Sequence, residues 1–278
     1  MTVFIMMLAV TTCYTITSLS DKYAIAEAKF SGNEFSFLMC ASMSVFIAIC
    51  LPFQEIRFVC SFQAFAAILL IAACKMLEFQ MSALVLKQLS AFELKAWLGI
   101  TLFASYLTDI FYGADPRASK FSCILVTILG LFFIAKSAKA GKTNYRQILL
   151  PLILYLVSKY GYGLVIKAFS PYISSTMQLL PALILLAIFL APKAAPGKLL
   201  QKNPRGVWFV VLARIPNAAG MLLENGIISI SLANYSFIQP MILVSLFFIG
   251  LIRKEQRSRL NLIGSLLCVA GVVAFQLL

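Results

Sequence analysis

The chain is dominated by apolar stretches that are each long enough to cross a membrane. Runs of about 20 apolar residues alternate with short segments rich in Pro, Gly or charge. They lie at about 3–20, 34–53, 62–85, 91–111, 119–138, 147–168, 173–192, 205–226, 232–252 and 259–278. A helix satisfies its own backbone hydrogen bonds inside hydrocarbon, so each stretch is predicted to be a transmembrane helix. The prediction is an all-α, multi-pass membrane protein of about ten spans.

The composition excludes the main classes of soluble protein. Of 278 residues, 62% are hydrophobic and 12% are charged, whereas a soluble domain has about 45–50% and about 25%. So few charges cannot cover a water-facing surface, which excludes a soluble enzyme, a disordered chain and a nucleic-acid-binding domain despite the net charge of +13. The chain has no His, and its seven Cys lie without paired short spacing. We therefore expect no bound metal and no other cofactor.

Two sets of spans show weak internal similarity. Span five reads LVTILGLFFIA and span ten reads LLCVAGVVAFQ, which places Gly130 on Gly271 at an offset of 141 residues. Span three contains MLEF and span eight contains LLEN, which places Glu78 on Glu224 at an offset of 146 residues. AFEL at the start of span four meets FIQP in span nine at that same offset. Each match is short, but all of them keep the helices in the same order.

The end of span one provides one more match between the two halves of the chain. SDKYA of span one aligns with VIKAF of span six and places Lys22 on Lys167. The chain is therefore predicted to contain two five-helix repeats, 1–140 and 141–278, within one membrane domain. An odd number of spans inverts the second repeat in the membrane. Inverted repeats are typical of secondary transporters, whose solute site lies near the midplane at the repeat interface.

The whole chain also resembles the ten-helix, EamA-like branch of the drug/metabolite transporter superfamily. The resemblance is clearest over Phe237–Leu278, where Pro240 stands early in span nine and a charged turn precedes a Gly-containing last helix. That turn reads Arg253–Gln256 where the family often has Gly-Glu, and Leu94 stands where it often has Pro. The match therefore indicates a divergent member. The resemblance implies export or uptake of small polar metabolites, amino acids or amphiphiles without ATP hydrolysis.

Lys159, near the centre of span six, is the first candidate substrate-binding residue. An ionisable side chain in the bilayer almost always faces a cavity or a partner. Tyr155 and Tyr162 lie four residues before and three residues after it, so they share its helix face. This face suits a solute with a carboxylate or phosphate and an apolar body. In the alternative interpretation, Lys159 pairs permanently with a Glu of another helix.

Two carboxylates at equivalent repeat positions are candidates for coupling. Lys75 lies three residues before Glu78, so these two side chains can simply neutralise each other within the helix. Glu224 has no cation at that spacing, although Arg214 lies earlier in the same span. Either carboxylate could bind a coupling proton or a solute ammonium group. Structural ion pairing is the alternative for both.

Further candidates lie in spans four and nine. Glu93 and Trp97 are one turn apart at the start of span four, where the helix dipole also favours a Glu. Gln239 precedes Pro240, which frees a backbone carbonyl inside span nine, and such interruptions in transporters tend to line a cavity.

Span seven contributes Gln178, span eight contributes Asn225, and span one contributes Tyr14 within the polar run TTCYTITS. Asp109 and Asp115 are expected in the solvated end of span four. They are the one close pair of acids in the sequence that invites an enzymatic interpretation, and we expect no enzymatic activity.

The distribution of basic residues predicts a membrane orientation opposite to the one that the family resemblance implies. Fourteen Lys and Arg lie in the connections after odd-numbered spans and four in those after even-numbered spans. The positive-inside rule then places the odd connections in the cytoplasm and both termini outside, whereas the family has both termini inside.

The function expected from these observations is alternating-access transport of a zwitterion or organic anion, such as an amino acid. A flippase for an amphiphilic or lipid-linked substrate and a multidrug exporter are the alternatives. Expected partners are a small-molecule solute, membrane lipids, and a proton or second solute in counter-transport. No nucleic acid is expected. The chain would act as a monomer or homodimer in the membrane of a cell, with the bacterial inner membrane as the expected location.

Overall fold

The described part of the chain is almost entirely α-helical. A computed structural model describes residues 2–27, 30–54, 56–85, 94, 97–137, 145–252 and 259–278. Over these residues the helices are α1 Thr2–Glu27, α2 Gly32–Cys50, α3 Phe62–Val85, α4 Gly99–Phe111, α5 Ala118–Ser137, α6 Tyr145–Phe169, α7 Ser175–Ala194, α8 Pro196–Lys202, α9 Pro204–Leu212, α10 Arg214–Ile230, α11 Leu232–Ile252 and α12 Arg259–Leu277. The predicted all-α class is confirmed.

Nine helical segments among the described residues are long and apolar enough to cross a membrane. They correspond to every predicted span except the fourth, for which the structure describes the shorter apolar helix α4. The chain is therefore an integral, multi-pass membrane protein. The first part of predicted span four, with Glu93, lies outside the described residues.

The predicted eighth span consists of two helices in one continuous crossing, Pro204–Ile230. The break between α9 and α10 falls at Ala213, three residues before Pro216. Proline has no N–H to offer the carbonyl of Leu212, and its ring crowds that carbonyl, so the regular hydrogen-bond ladder stops there.

The helices pack in pairs. The most extensive contact joins α5 to α12, followed by α3 with α6, α2 with α7, and α1 with α10. Helix α11 packs against both α1 and α4. Every one of these pairs joins a helix from 1–140 to a helix from 141–278, so the two halves of the chain are interleaved.

The α5–α12 contact depends on glycines. A Cβ on Gly130 would lie 2.6 Å from the carbonyl oxygen of Gly264, and a Cβ on Gly271 would lie 2.8 Å from that of Cys123. Both distances are shorter than real Cβ contacts, so any larger residue would force the backbones apart. Close packing of this kind holds helices together in lipid, where there is no hydrophobic force between them.

One end of the bundle contradicts an expectation from the sequence. Asp109, expected in a solvated helix end, is 5% exposed. Its carboxylate accepts hydrogen bonds from Lys167 Nζ and from the segment 231–233 at the start of α11. Burial of this acid is feasible because a cation and three further donors satisfy it. Asp115 is exposed, as expected.

We expect Gly271→Ala to destabilise the protein because the new Cβ would meet the Cys123 carbonyl and the Thr127 hydroxyl. Overpacking of this kind costs about 1–3 kcal/mol. Thermal unfolding in detergent measures the loss. Gly32→Ala is the matched control, since a Cβ there meets nothing within 4 Å. Equal stabilities of the two variants would contradict the prediction.

Candidate functional site

A polar cavity of about 170 Å³ lies inside the bundle. A water needs about 10–15 Å³ of such space, so the cavity can hold on the order of ten water-sized groups. It is formed by α1, α2, α3, α6, α7, α10 and α11. Its lining residues are Tyr14, Thr17, Ser18, Met39, Cys40, Met43, Lys75, Glu78, Phe79, Tyr155, Lys159, Leu183, Asn217, Met221, Glu224, Gln239 and Ile242.

The cavity wall carries a three-residue ionic cluster formed by Glu78, Lys75 and Lys159. One carboxylate oxygen of Glu78 lies 2.7 Å from Lys159 Nζ, and the other lies 3.0 Å from Lys75 Nζ. The side chains of Glu78 and Lys159 are 12% and 15% exposed, and that of Lys75 is 5% exposed. The cluster joins α3 to α6 and has one positive charge in excess.

Aromatic and amide side chains contact this cluster on the side away from the cavity or extend its contacts to α10. Lys75 Nζ lies 4.0 Å from the centre of the Tyr162 ring, an arrangement that stabilises a buried ammonium. The Tyr162 hydroxyl donates a 2.8 Å hydrogen bond to Asn225 Oδ1 on α10. Tyr155 is buried beside the cavity, one turn before Lys159. The cluster is therefore connected to α10 through Tyr162.

Glu224, the second cavity carboxylate, has a different partner. It is 2% exposed and accepts a hydrogen bond from the Tyr14 hydroxyl of α1. Gly220 permits this approach, because a Cβ there would lie 2.8 Å from a ring carbon of Tyr14. No Lys or Arg in the described part of the chain forms an ion pair with Glu224.

Sulfur and amide groups form a further part of the cavity wall. Met39, Cys40 and Met43 of α2 and Met221 of α10 present soft, apolar surface. Asn217 Nδ2 lies 3.2 Å from Met43 Sδ. The cavity therefore offers both charged and apolar contacts to one occupant.

Most of the residues proposed from the sequence meet at this cavity. Seven of them line it, namely Tyr14, Lys75, Glu78, Tyr155, Lys159, Glu224 and Gln239. Tyr162 and Asn225 do not line the cavity, but the Tyr162 ring contacts Lys75 and the Tyr162 hydroxyl donates a hydrogen bond to Asn225.

The other proposed residues lie elsewhere. Gln178 Nε2 donates to the carbonyl of Ile166 in the last turn of α6 and to that of Ile173 in the connection to α7. Arg214 donates through Nε to Val210 and packs against the Phe35 ring, about 15 Å along the helix from Glu224. Trp97 is 36% exposed and does not line the cavity.

Sequence reasoning missed the α2 wall of Met39, Cys40 and Met43. These residues are apolar, and nothing in their local pattern separates a cavity-facing Met from a lipid-facing one. The described residues contain no group of three or more His, Cys, Asp or Glu that could hold a metal ion.

Comparison with known proteins establishes the fold alone. No family model and no curated protein matches the chain. A solved structure described only as the crystal structure of a protein is similar, with a TM-score of 0.67 and 14% sequence identity. The similarity covers 99% of this chain and 96% of that one. The whole chain therefore has a fold that occurs in solved proteins.

We expect Glu78→Gln to destabilise the protein far more than Glu224→Gln. The first change strands two buried lysines beside each other, and breaking a buried ion pair costs about 3–5 kcal/mol. The second strands no cation and leaves an amide oxygen to accept the Tyr14 hydroxyl, so its cost should be about 1 kcal/mol. Thermal unfolding in detergent measures both.

Adding Lys75→Met to Glu78→Gln should recover part of the lost stability, because it removes one of the two stranded charges. Equal losses for Glu78→Gln and Glu224→Gln, or no recovery in the double variant, would contradict the described pairing.

Proposed function

We propose that this protein is a secondary transporter that moves a small polar or amphiphilic metabolite by alternating access. The observation that carries the proposal is a polar cavity that is lined by membrane-spanning helices and carries charges of both signs. Ionisable groups inside a bilayer are costly and mark solute or ion pathways. The mixed charges favour a zwitterion or an organic anion, such as an amino acid.

Two inverted five-helix repeats, 1–140 and 141–278, form the proposed architecture. In these repeats each of spans one to five has its counterpart five spans later. When every span is exchanged with its counterpart, the pairs α5–α12, α2–α7 and α4–α11 remain the same pairs. The same exchange maps α3–α6 onto α10–α1. This is the pairing that a pseudo-twofold axis in the membrane plane would produce.

The α5–α12 contact supports the same symmetry at the level of single residues. At the 141-residue offset, Gly130 corresponds to Gly271 and Cys123 to Gly264. Gly130 approaches Gly264, and Gly271 approaches Cys123, so one contact occurs twice. This agreement also supports the proposed membership in the EamA-like branch of the drug/metabolite transporters, whose members share the two-repeat plan.

The two cavity carboxylates fit the same scheme. At the 145-residue offset of spans one and six, Tyr14 corresponds to Lys159. The pairs Tyr14–Glu224 and Lys159–Glu78 are therefore equivalent contacts, one in each half.

Because one of these contacts contains a cation and the other does not, we assign a different role in solute binding to each. Lys159 would bind the anionic group of the solute, because the cluster around Glu78 has one cation in excess. Glu224 would contact the solute ammonium group or a coupling proton, because an ionised carboxylate there needs a counter-charge that its described neighbours do not supply.

A thermal-shift screen of the purified protein tests the solute class. The compounds are amino acids, monocarboxylates, sugars, nucleotides and quaternary ammonium drugs. A ligand of the folded state raises its apparent stability by mass action. Amino acids or monocarboxylates should raise the melting temperature, and sugars should not.

Lys159→Met provides the residue-level test. The fold should survive because Lys75 still neutralises Glu78, but removing the solute's charge partner should weaken binding about 30-fold or more. Lys136→Met, on the exposed surface of α5, is the matched control. The proposal is wrong if Lys159→Met and Glu224→Gln both leave binding and proteoliposome uptake of the stabilising solute unchanged.

A flippase for an amphiphilic substrate is the second candidate, and one feature favours it. An apolar groove of about 270 Å³ lies between α1, α11 and α12. Pro240 lines this groove, and its neighbour Gln239 lines the polar cavity. Single-chain lysolipids in the same screen distinguish the two candidates, because a flippase would be stabilised by them and a transporter of water-soluble solutes would not.

A further inference from the structure

A buried polar cluster lies at the end of the bundle where α4 and α10 end and α11 begins. It is centred on the carboxylate of Asp109. Lys167 Nζ lies 2.5 Å from Oδ1, and Ser231 Oγ lies 2.7 Å from Oδ2. The backbone N–H groups of Leu232 and Ala233 each donate at 2.9 Å. One acid of α4 thus holds α6 by a charge and caps the first turn of α11.

These bonds join the two halves of the chain, since Asp109 belongs to 1–140 and its partners belong to 141–278. The connection between α2 and α3 makes a similar contact at the same end. The N–H of Ser174 donates to the Arg57 carbonyl at 2.8 Å, and the N–H of Val59 donates to the Tyr172 carbonyl at 3.0 Å.

The cluster shares α6 and α11 with the cavity. Lys167 follows Lys159 by eight residues on α6, about 12 Å along the axis. Gln239 of the cavity follows Leu232 by seven residues on α11, about 10 Å along the axis. The cluster therefore lies between the level of the cavity and this end of the bundle, where Asp109 holds α4, α6 and the start of α11 together.

We propose that Asp109 is a positioning residue that keeps the cavity closed at this end, and that its contacts break when the cavity opens there. The proposal rests on the proposed transport function. A carboxylate with four donors favours two discrete states, because losing the acid strands Lys167 and uncaps α11 together. Partial opening would leave these groups buried without partners.

Cysteine labelling from each side of sealed vesicles tests the proposal. The background has its seven cysteines replaced by Ser or Ala, with Ser18→Cys as the reporter in the cavity. Restored Cys60, which is exposed near Val59, identifies the Asp109 end, and Lys198→Cys on exposed α8 identifies the opposite end. A small, charged, membrane-impermeant methanethiosulfonate is added to one side at a time, and the rates are compared.

Asp109→Asn should raise the labelling rate of the cavity cysteine from the Asp109 end about tenfold or more relative to the rate from the opposite end. Ser231→Ala, which removes a single donor, should shift this ratio in the same direction by a smaller factor. Asp115→Asn is the matched control, because it removes an exposed acid at the same end. Size-exclusion chromatography confirms that each variant is folded.

An unchanged ratio in folded Asp109→Asn would overturn the proposal. An equal rise from both ends would also overturn it, because that result indicates general loosening of the bundle. If Asp109→Asn does not fold, the ratio of labelling rates from the two ends in Ser231→Ala tests the proposal, and an unchanged ratio in that variant would overturn it. Labelling needs no solute, so a failure of this proposal is distinct from a failure of the proposed solute class.

Discussion

The structure depends most on how it accommodates charge inside the bilayer. Glu78 is held between two lysines, Lys159 at 2.7 Å and Lys75 at 3.0 Å. One carboxylate cannot neutralise two ammonium groups, so the cluster keeps an excess cation, which Tyr162 stabilises in part through its ring. The cluster joins α3 to α6 and lies in the wall of the cavity. An anionic solute would supply the missing counter-charge.

The two halves place different chemistry at equivalent positions. In the proposed repeats, Tyr14 stands where the other half has Lys159, and each bonds the Glu of its own pair. A phenol can hold a carboxylate in place without cancelling its charge. In the proposed mechanism, the repeat symmetry accounts for two similar pairs, and the different side chains would make one a cation site and the other a site for a proton or an ammonium group.

Local sequence could predict the helices and the mid-span charges, because every charge in a long apolar run must face a cavity or a partner. Lys159, Glu78 and Glu224 were identified on that ground. Burial of Asp109 could not be predicted, since its partners Lys167 and Ser231 lie 58 and 122 residues away. The sequence likewise predicts Gln178 to be a cavity group, but its amide donates to backbone carbonyls in the last turn of α6 and in the connection to α7. Local pattern identifies a costly group, and only the tertiary contacts show which partner satisfies it.

Helix α6 connects the cavity to the Asp109 cluster. One part of it holds Glu78 through Lys159, and another contacts α4 twice, through Tyr160 with Thr108 and through Lys167 with Asp109. Helix α6 runs without a break from Lys159 to Lys167. In the proposed mechanism, a displacement of α6 on solute binding would change the position of Lys167 against Asp109. Solute binding and the closure of one end would then be coupled, because a single helix carries both contacts.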